Sequence, residues 1–297
     1  IARSFLGPGI FAFMPQLVSK KQFQNAVTWS SANWHIASVA GPALGGLLYG
    51  FVGIHTTFFI QAALVALSLV FIALVASRPL PENVQMKQGE SMGQRLTEGL
   101  RFVFRNKIIL HAISLDMFAV LFGGAVALLP VFANDILMIG PEGLGILRAA
   151  PALGAVVMTF FLARFPIQQQ AGQKMLIAVA GFGLSIIGFG LSTWFGLSLF
   201  MLFLSGLFDS ISVNVRSTLL QLHTPEHMKG RVSAVNSIFV GSSNELGEFE
   251  SGVTAHWFGT VPAVLFGGCM TLVVVGITAA KATVLRNLHL NEDDNDK

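Results

Sequence analysis

The sequence predicts an all-α polytopic membrane protein in which about nine helices cross the bilayer. Charged residues make up 11% of the 297 residues and hydrophobic residues 53%, whereas an ordinary soluble domain carries about 25% charged residues. The stretches Gln22–Ser77 and Met175–Phe208 contain no charged side chain. Because about 20 apolar residues cross the hydrocarbon core, each of these two stretches holds two crossings.

The distribution of basic residues predicts how the helices are oriented. Cytoplasmic loops collect Lys and Arg, whereas translocated loops do not. Fifteen of the 18 basic residues lie in five stretches, which alternate with stretches that contain none: Lys20–Lys21, Arg78–Lys107, Arg164–Lys174, Lys229–Arg231 and Lys281–Lys297. We therefore expect the basic loops and the C-terminus to be cytoplasmic. The net charge of +3 follows from this bias and does not favour a nucleic-acid partner.

The apolar segments divide the chain into successive spans. An odd number of spans that starts outside the cell and ends inside agrees with the basic loops. The first span begins at Ile1 without an initiator methionine, so we expect a fragment that lacks its N-terminal part. The segments are 1–18, 30–52, 57–77, 108–133, 143–163, 175–193, 197–222, 232–256 and 261–281.

Residues 78–107 form the longest polar stretch and separate the third span from the fourth. Within this stretch apolar side chains recur with a helical period, which predicts a surface helix along the inner leaflet between two bundles. These side chains belong to Met92, Leu96, Leu100, Val103 and Phe104. The acidic residues at 291–297 predict a disordered tail.

An internal repeat predicts two similar helix bundles. Three glycines recur at one displacement of 206 residues, namely Gly41, Gly46 and Gly53 as Gly247, Gly252 and Gly259. A same-direction repeat of this length is typical of two bundles related by an axis along the membrane normal. We expect residues 1–77 to be the remainder of the first bundle (helices 4–6) and 78–107 to be a cytoplasmic linker. Residues 108–286 then form a six-helix second bundle and 287–297 the tail.

Three segments resemble the major facilitator superfamily, and within it the bacterial efflux branch. The run Gly41-Pro42-Ala43-Leu44-Gly45-Gly46 resembles the antiporter motif of the fifth helix, and Leu144–Pro151 resembles the eighth helix. Asp209–Gly252, which includes Gly230-Arg231-Val232-Ser233, resembles the tenth and eleventh helices. Ala37 stands where the antiporter motif usually has a further glycine. The expected Gly-Asp-Arg-rich loop is reduced to Ala163-Arg164-Phe165 without its acid.

This resemblance implies a twelve-helix secondary transporter of which about nine helices are present. It further implies proton-coupled export of small amphipathic molecules, siderophores or drugs, across the bacterial inner (plasma) membrane by alternating access. The partners would be the small-molecule substrate, protons and the lipid bilayer, and the protein would be a monomer without a cofactor, a metal or nucleic acid. Gly41, Pro42, Gly45 and Gly46 would form a conformational motif.

Carboxylates within apolar spans are the candidates for proton coupling. An ionised carboxylate at the bilayer centre costs about 2.5–3.5 kcal/mol, and burial favours its protonated form. Glu245 and Glu248 share one face of the predicted span 232–256 with Gly241 and Gly252, and Asp209 lies in the middle of the preceding span. Glu245, Glu248 and Asp209 are therefore predicted to handle protons. The alternative is hydrogen bonding between helices by protonated acids, which we favour for Glu250.

Charged and amide side chains within the spans are the candidates for substrate binding. Arg148 is predicted to bind an anionic or catecholate substrate, although a contact with a backbone carbonyl explains it nearly as well. Its depth differs from that of Asp116 by more than about 10 Å, so no ion pair between them is expected. Arg3 faces Asp209 across a central cavity, or each is neutralised within its own bundle. The remaining candidates are Asp116, Asn33 and Asn236, while Arg216 is expected to anchor its helix.

Other functions remain open at this point. An importer or uncoupled facilitator of a small metabolite fits the same helices, as does a non-transporting membrane receptor. An enzyme is not expected, because no Gly-x-Ser-x-Gly elbow and no His-Glu-x-x-His zinc motif is present. Pro225 lies between His223 and His227 and argues against a helical metal site there. The single cysteine, Cys269, lies in an apolar run and is expected to be a structural thiol.

Overall fold

The computed structural model describes residues 23–74, 92–165, 167, 169–225, 228–282 and 286. Every element within these ranges is helical, which confirms the all-α class. The first expected span, Arg3 and the acidic tail lie outside the described residues.

The long helices of the described chain are numbered in order. α1 is Phe23–Leu74, α2 is Met92–Arg105 and α3 is Lys107–Phe122. A 3-10 turn, a short α-helical turn and a π-turn follow α3 at Ala125–Leu128, Leu129–Val131 and Phe132–Ile136. The remaining helices are α4 (Pro141–Arg164), α5 (Ala171–Leu191), α6 (Phe195–Leu222), α7 (Lys229–Phe258) and α8 (Thr260–Lys281).

Six stretches of the described chain are long and apolar enough to cross a membrane. They are Val39–Leu74, Lys107–Ile136, Pro141–Arg164, Ala171–Leu191, Phe195–Leu222 and Thr260–Lys281. The sequence predicts eight spans in this part of the chain. The second and third of the predicted spans fall together within α1. A further predicted span corresponds to α7, which is long enough to cross but carries three glutamates and is not among the six apolar stretches.

The backbone of Gly53 breaks α1 at the boundary between two predicted spans. The backbone of Gly53 has φ 79° and ψ 166°, and that of Gly259, between α7 and α8, has φ 90° and ψ 163°. Glycine adopts this region readily, whereas residues with a side chain are strained there. Gly53 thus divides α1 at the expected boundary. Because Gly53 and Gly259 are equivalent in the repeat, both copies share the same backbone break.

Three clusters of buried apolar side chains hold α2 to α8 together. The first surrounds Phe132 and Phe189, whose ring centroids lie 4.5 Å apart. The second joins α3, α5 and α6 around Met175 and Leu219. The third joins α2, α3 and α7 around Val103. By contrast, the segment of α1 after Gly53 has no buried residue. The described packing is therefore concentrated in the predicted second bundle.

α2 confirms the helix predicted in the polar stretch and attaches it to α7. Val103 is fully buried, and Glu98 forms an ion pair with Arg231. A Cβ atom added at Gly99 would lie 2.8 Å from the carbonyl oxygen of Arg231, so the two helices are in close contact. α2 lies at the end of the bundle that carries Arg105, Arg164, Lys174 and Lys229. We call this the basic end.

The start of α3 depends on a side-chain cap. Oδ1 of Asn106 accepts hydrogen bonds from the backbone N–H groups of Ile108 and Ile109 at 3.1 and 3.2 Å. We expect Asn106→Ala to lower the free energy of unfolding by about 1 kcal/mol, as measured by thermal unfolding of the purified protein. Asn106→Asp keeps the acceptor and is the matched control. Equal stability of the alanine and aspartate variants would contradict a capping role.

Candidate functional site

A small cavity brings two of the predicted carboxylates together. It lies among α3, α4, α5, α6 and α7 and has a volume of about 200 Å³. Its polar lining consists of Ser205 and Asp209 on α6 and of Asn244 and Glu248 on α7. Sites for drug-sized ligands typically measure about 300–1,000 Å³, so this cavity is smaller than a typical site for an amphipathic substrate.

Asp209 occupies the interior side of the cavity. Its side chain is half-buried, and no hydrogen-bond partner reaches its carboxylate from the described residues. Ser205, one turn earlier on α6, donates its hydroxyl to the carbonyl oxygen of Leu202 at 2.7 Å. Apolar side chains such as Phe182 and Ile186 complete this part of the wall. The carboxylate of Asp209 thus meets the cavity without a competing internal bond.

Glu248 occupies the open side of the cavity. Glu248 and Asn244 are both exposed, and the amide nitrogen of Asn244 donates to the carbonyl oxygen of Val240 at 3.0 Å. Glu245 is also exposed but does not line the cavity. Glu250 accepts a hydrogen bond from the hydroxyl of Thr254 at 2.8 Å. The structure therefore associates Glu248, rather than Glu245, with Asp209.

A buried ion pair lies beside Asp209. Nη1 of Arg216 donates to Oδ2 of Asp116 at 2.5 Å, and the hydroxyl of Ser212 donates to Oδ1 of the same carboxylate at 2.9 Å. Asp116 and Arg216 are 4% and 5% exposed, so the pair is shielded from water. Ser212 and Arg216, the two donors to Asp116, follow Asp209 on α6 by three and seven residues. The region therefore holds two carboxylates and one guanidinium group.

The pair of Asp116 and Arg216 concerns two residues that the sequence analysis assigns to other roles. Arg216 is predicted to anchor its helix and Asp116 to bind substrate, and the structure buries the two side chains in contact with each other. The sequence signal for this ion pair is the similar depth of Asp116 and Arg216 along their helices. Asp116 and Arg216 lie about 13 Å and 9 Å along their helices from the basic end.

The other candidates for substrate binding do not form one site in the described structure. Arg148 is exposed on α4, and Asn33 is exposed on α1. Asn236 is half-buried near the start of α7, at the basic end. Arg3 lies outside the described residues. No group of three His, Cys, Asp or Glu side chains within the described ranges is arranged to hold a metal ion.

The glycine motif of α1 lies at the contact with α4. A Cβ atom added at Gly46 would lie 2.6 Å from the carbonyl oxygen of Pro141 and 2.7 Å from the Cα atom of Gly145. A Cβ atom added at Gly145 would lie 2.6 Å from the carbonyl oxygen of Pro42. Gly41 and Gly45 have open space at the corresponding position. Within the motif, Gly46 and the backbone of Pro42 therefore make the close contact.

Comparisons with known proteins agree with this architecture. The family described as transmembrane secretion effector matches residues 1–296. The enterobactin exporter EntS of Shigella boydii serotype 18 is 26% identical over 226 residues, which are 76% of this chain and 53% of that exporter. The exporters of the same name from Shigella boydii serotype 4 and Escherichia coli O1:K1 have the same identity and coverage. The chain spans about half the length of the curated relatives it matches.

Proposed function

The chain belongs to the transmembrane secretion effector family of the major facilitator superfamily, and we propose that it serves proton-coupled export of small amphipathic molecules. The observation that carries this proposal is the cavity in which Asp209 and Glu248 lie together. Their helices are adjacent in sequence, and both carboxylates sit within helices of membrane-spanning length. A pair of carboxylates in a cavity smaller than typical ligand sites has the chemistry of a proton site.

The proton cycle follows from the cost of charge within a membrane. A carboxylate in the bilayer interior is costly when ionised and is stabilised when it binds a proton or contacts water. Asp209 is on the interior side of the cavity and Glu248 on its open side, so a proton entering from the open side meets Glu248 first. We therefore assign Glu248 to proton entry and Asp209 to proton storage. The Asp116–Arg216 ion pair, which has no net charge, lies next to the storage site.

The contact between α1 and α4 supports alternating access. α1 belongs to the predicted first bundle and α4 to the second, and their backbones approach closely at Gly46 and Gly145. In this proposal the two bundles rock about a site near the middle of the membrane. The contact at Gly46 and Gly145 forms in one conformation and loosens in the other. The linker helix α2 moves with the second bundle, because it is attached to α7 through Glu98 and Arg231.

The identity of the relatives suggests the class of substrate. The matched exporters are named for enterobactin, so we propose a siderophore or a comparably amphipathic drug. The cavity of Asp209 and Glu248 is smaller than typical sites for such molecules, so we propose that the substrate binds between the bundles. Arg148, exposed on α4, is the proposed anchor for an anionic substrate group. The protein would act as a monomer in the bacterial inner membrane, with its basic end in the cytoplasm and without a catalytic reaction.

Everted membrane vesicles test proton coupling. Vesicles are prepared from cells that express the protein from its complete coding sequence, and a proton gradient is imposed. We expect a catecholate siderophore or a hydrophobic drug to collapse the gradient with the unaltered protein. Asp209→Asn and Glu248→Gln should reduce this proton flux to background, because neither amide binds a proton near neutral pH.

Glu245→Gln is the matched control, since it removes a carboxylate of the same helix that does not line the cavity. It should retain the proton flux at an equal level of protein in the membrane. If Glu245→Gln abolishes the flux while the other two variants retain it, the proton site lies on the exposed face of α7 instead. If no substrate evokes proton flux in the unaltered protein, coupled export is contradicted and import or reception becomes the better explanation.

A further inference from the structure

A second cavity lies among α4, α5 and α6, towards the basic end. Its volume is about 410 Å³, which falls within the range of small-molecule sites. Lys174 is the only charged residue that lines it within the described ranges, and every other lining residue is apolar. This cavity shares no residue with the cavity of Asp209 and Glu248. The proposed proton site therefore does not account for it.

The cavity opens on the outer surface of the helices, on the side away from α1. Phe161 and Phe165, which line it, are exposed, and so is Ile177 on α5. With 3.6 residues per turn, Phe161 and Phe165 lie on the side of α4 roughly opposite to Gly145, which meets α1. α4, α5 and α6 are all of membrane-spanning length and composition. The opening is therefore on a face that lipid can reach.

The apolar part of the cavity extends inwards from the basic end. Met158 and Ala178 lie about 9 Å and 10 Å along their helices from that end. Lys174 is nearer to it, at about 5 Å. A lysine keeps its hydrocarbon stem on apolar surface and extends its ammonium group towards polar surroundings. The cavity thus combines an apolar interior with a positively charged entrance, which is the arrangement that an amphipathic anion requires.

A second positive charge lies at the same entrance, and no acidic side chain of this segment balances the two. The guanidinium carbon of Arg164 is 5.3 Å from the centroid of the Phe165 ring, which lines the cavity. Lys174 is exposed and forms no ion pair with any described residue. The sequence contains no Asp or Glu between Glu142 and Asp209. Both cations are therefore available to an anion from outside the protein.

We propose that this cavity binds an anionic phospholipid from the leaflet at the basic end. One acyl chain lies in the apolar cavity among α4, α5 and α6, and the phosphate group lies between Lys174 and Arg164. Basic pockets between membrane-spanning helices bind anionic headgroups in this way. The cavity supplies packing contacts for the chain, and the two basic side chains supply the preference for negative charge. Proton coupling is not needed for this site.

Removal of the two charges tests recognition of the headgroup. The protein, expressed from its complete coding sequence, is purified in detergent and exposed to mixtures of phosphatidylglycerol and phosphatidylcholine. Native mass spectrometry then gives the ratio of the two lipids that stay bound. We expect the unaltered protein to prefer phosphatidylglycerol. The double variant Arg164→Gln with Lys174→Gln should reduce this preference by about 30-fold, because each basic side chain near the headgroups contributes to the binding of anionic lipid.

The double variant Arg105→Gln with Lys107→Gln is the matched control. It removes one arginine and one lysine from the same end of the bundle. Both residues are exposed and belong to α2 and α3, which do not line the cavity. This variant should keep the preference for phosphatidylglycerol.

A bulky substitution tests the position of the acyl chain. Met158 is half-buried and lines the cavity, so Met158→Trp should lower the amount of phosphatidylglycerol that stays bound. Val157 is exposed and does not line the cavity, so Val157→Trp should leave that amount unchanged. If Met158→Trp does not fold, the comparison of the two double variants decides alone.

Three results would overturn the proposal. The first is an equal loss of preference in both double variants, because the charge of the whole basic end would then explain it. The second is that the unaltered protein retains phosphatidylcholine as well as phosphatidylglycerol. The third is that folded Met158→Trp retains as much phosphatidylglycerol as Val157→Trp, which would place the lipid outside the cavity.

Discussion

Arg216→Met will lower the free energy of unfolding by about 3–5 kcal/mol, because it leaves the buried carboxylate of Asp116 without its counter-charge. Asp116 is 4% exposed and receives hydrogen bonds only from Arg216 and Ser212 among the described residues. The measurement is reversible unfolding of the purified protein in detergent.

The double variant Asp116→Leu with Arg216→Met is the control for this prediction. Replacing both partners of a buried ion pair by apolar side chains is often neutral or stabilising, so the double variant should be more stable than Arg216→Met alone. A double-mutant cycle then isolates the interaction between the two side chains. If Arg216→Met is as stable as the unaltered protein, or if the double variant is the least stable of the set, the pair does not hold α3 to α6 in the way that the geometry indicates.

The helices and their breaks were predictable because the membrane imposes their length and spacing. Apolar runs and basic loops gave the spans, and the repeated glycines predicted equivalent positions whose shared backbone conformation the structure confirms at Gly53 and Gly259. The period of apolar residues predicted the helix α2. In each case a local pattern in the sequence determines the local structure.

The arrangement of the polar side chains was less predictable, since it depends on how the helices rotate against one another. Glu245 and Glu248 are three residues apart on α7, and sequence position alone favoured the more central Glu245. The packing of α7 against α3, where Gly247 meets the backbone of Leu121, turns Glu248 and not Glu245 towards the cavity. Helical periodicity gives the face that two residues share but not the neighbour that this face meets.

The same limit applies to Gly145, the residue of α4 that meets the glycine motif of α1. The motif identified Gly41, Pro42, Gly45 and Gly46 as a unit, whereas the structure distinguishes positions that touch α4 from positions that do not. Contact between α1 and α4 requires small residues on both helices at the same depth. Gly145 meets this requirement on α4. Gly145 lies in Leu144–Pro151, the segment that resembles the eighth helix, and this resemblance is the sequence signal for its role.

Gly46→Val is expected to loosen the contact between α1 and α4 and to disturb transport strongly. The added side chain would meet backbone atoms of Pro141 and Gly145, so rotation of a neighbouring side chain does not relieve the clash. Overpacking of this kind costs about 1–3 kcal/mol, which corresponds to a shift of about 5- to 150-fold in a two-state equilibrium. We expect the equilibrium to shift by this factor away from the conformation that contains the contact. The substrate-evoked proton flux in everted vesicles should fall as a result.

Gly45→Ala is the matched control for Gly46→Val, because a Cβ atom at Gly45 meets nothing within 4 Å. Alanine is also the better helix former by about 1 kcal/mol, so this variant should retain both stability and proton flux. Spin labels at the exposed positions Leu44 and Ile146 report the separation of the two helices, with Cys269 replaced by serine. A longer distance in Gly46→Val than in Gly45→Ala is expected. The clash of valine at Gly46 involves backbone atoms, so the two helices must separate to relieve it. Equal distances together with unchanged proton flux in the two variants would therefore show that the contact with α4 is not what the motif provides.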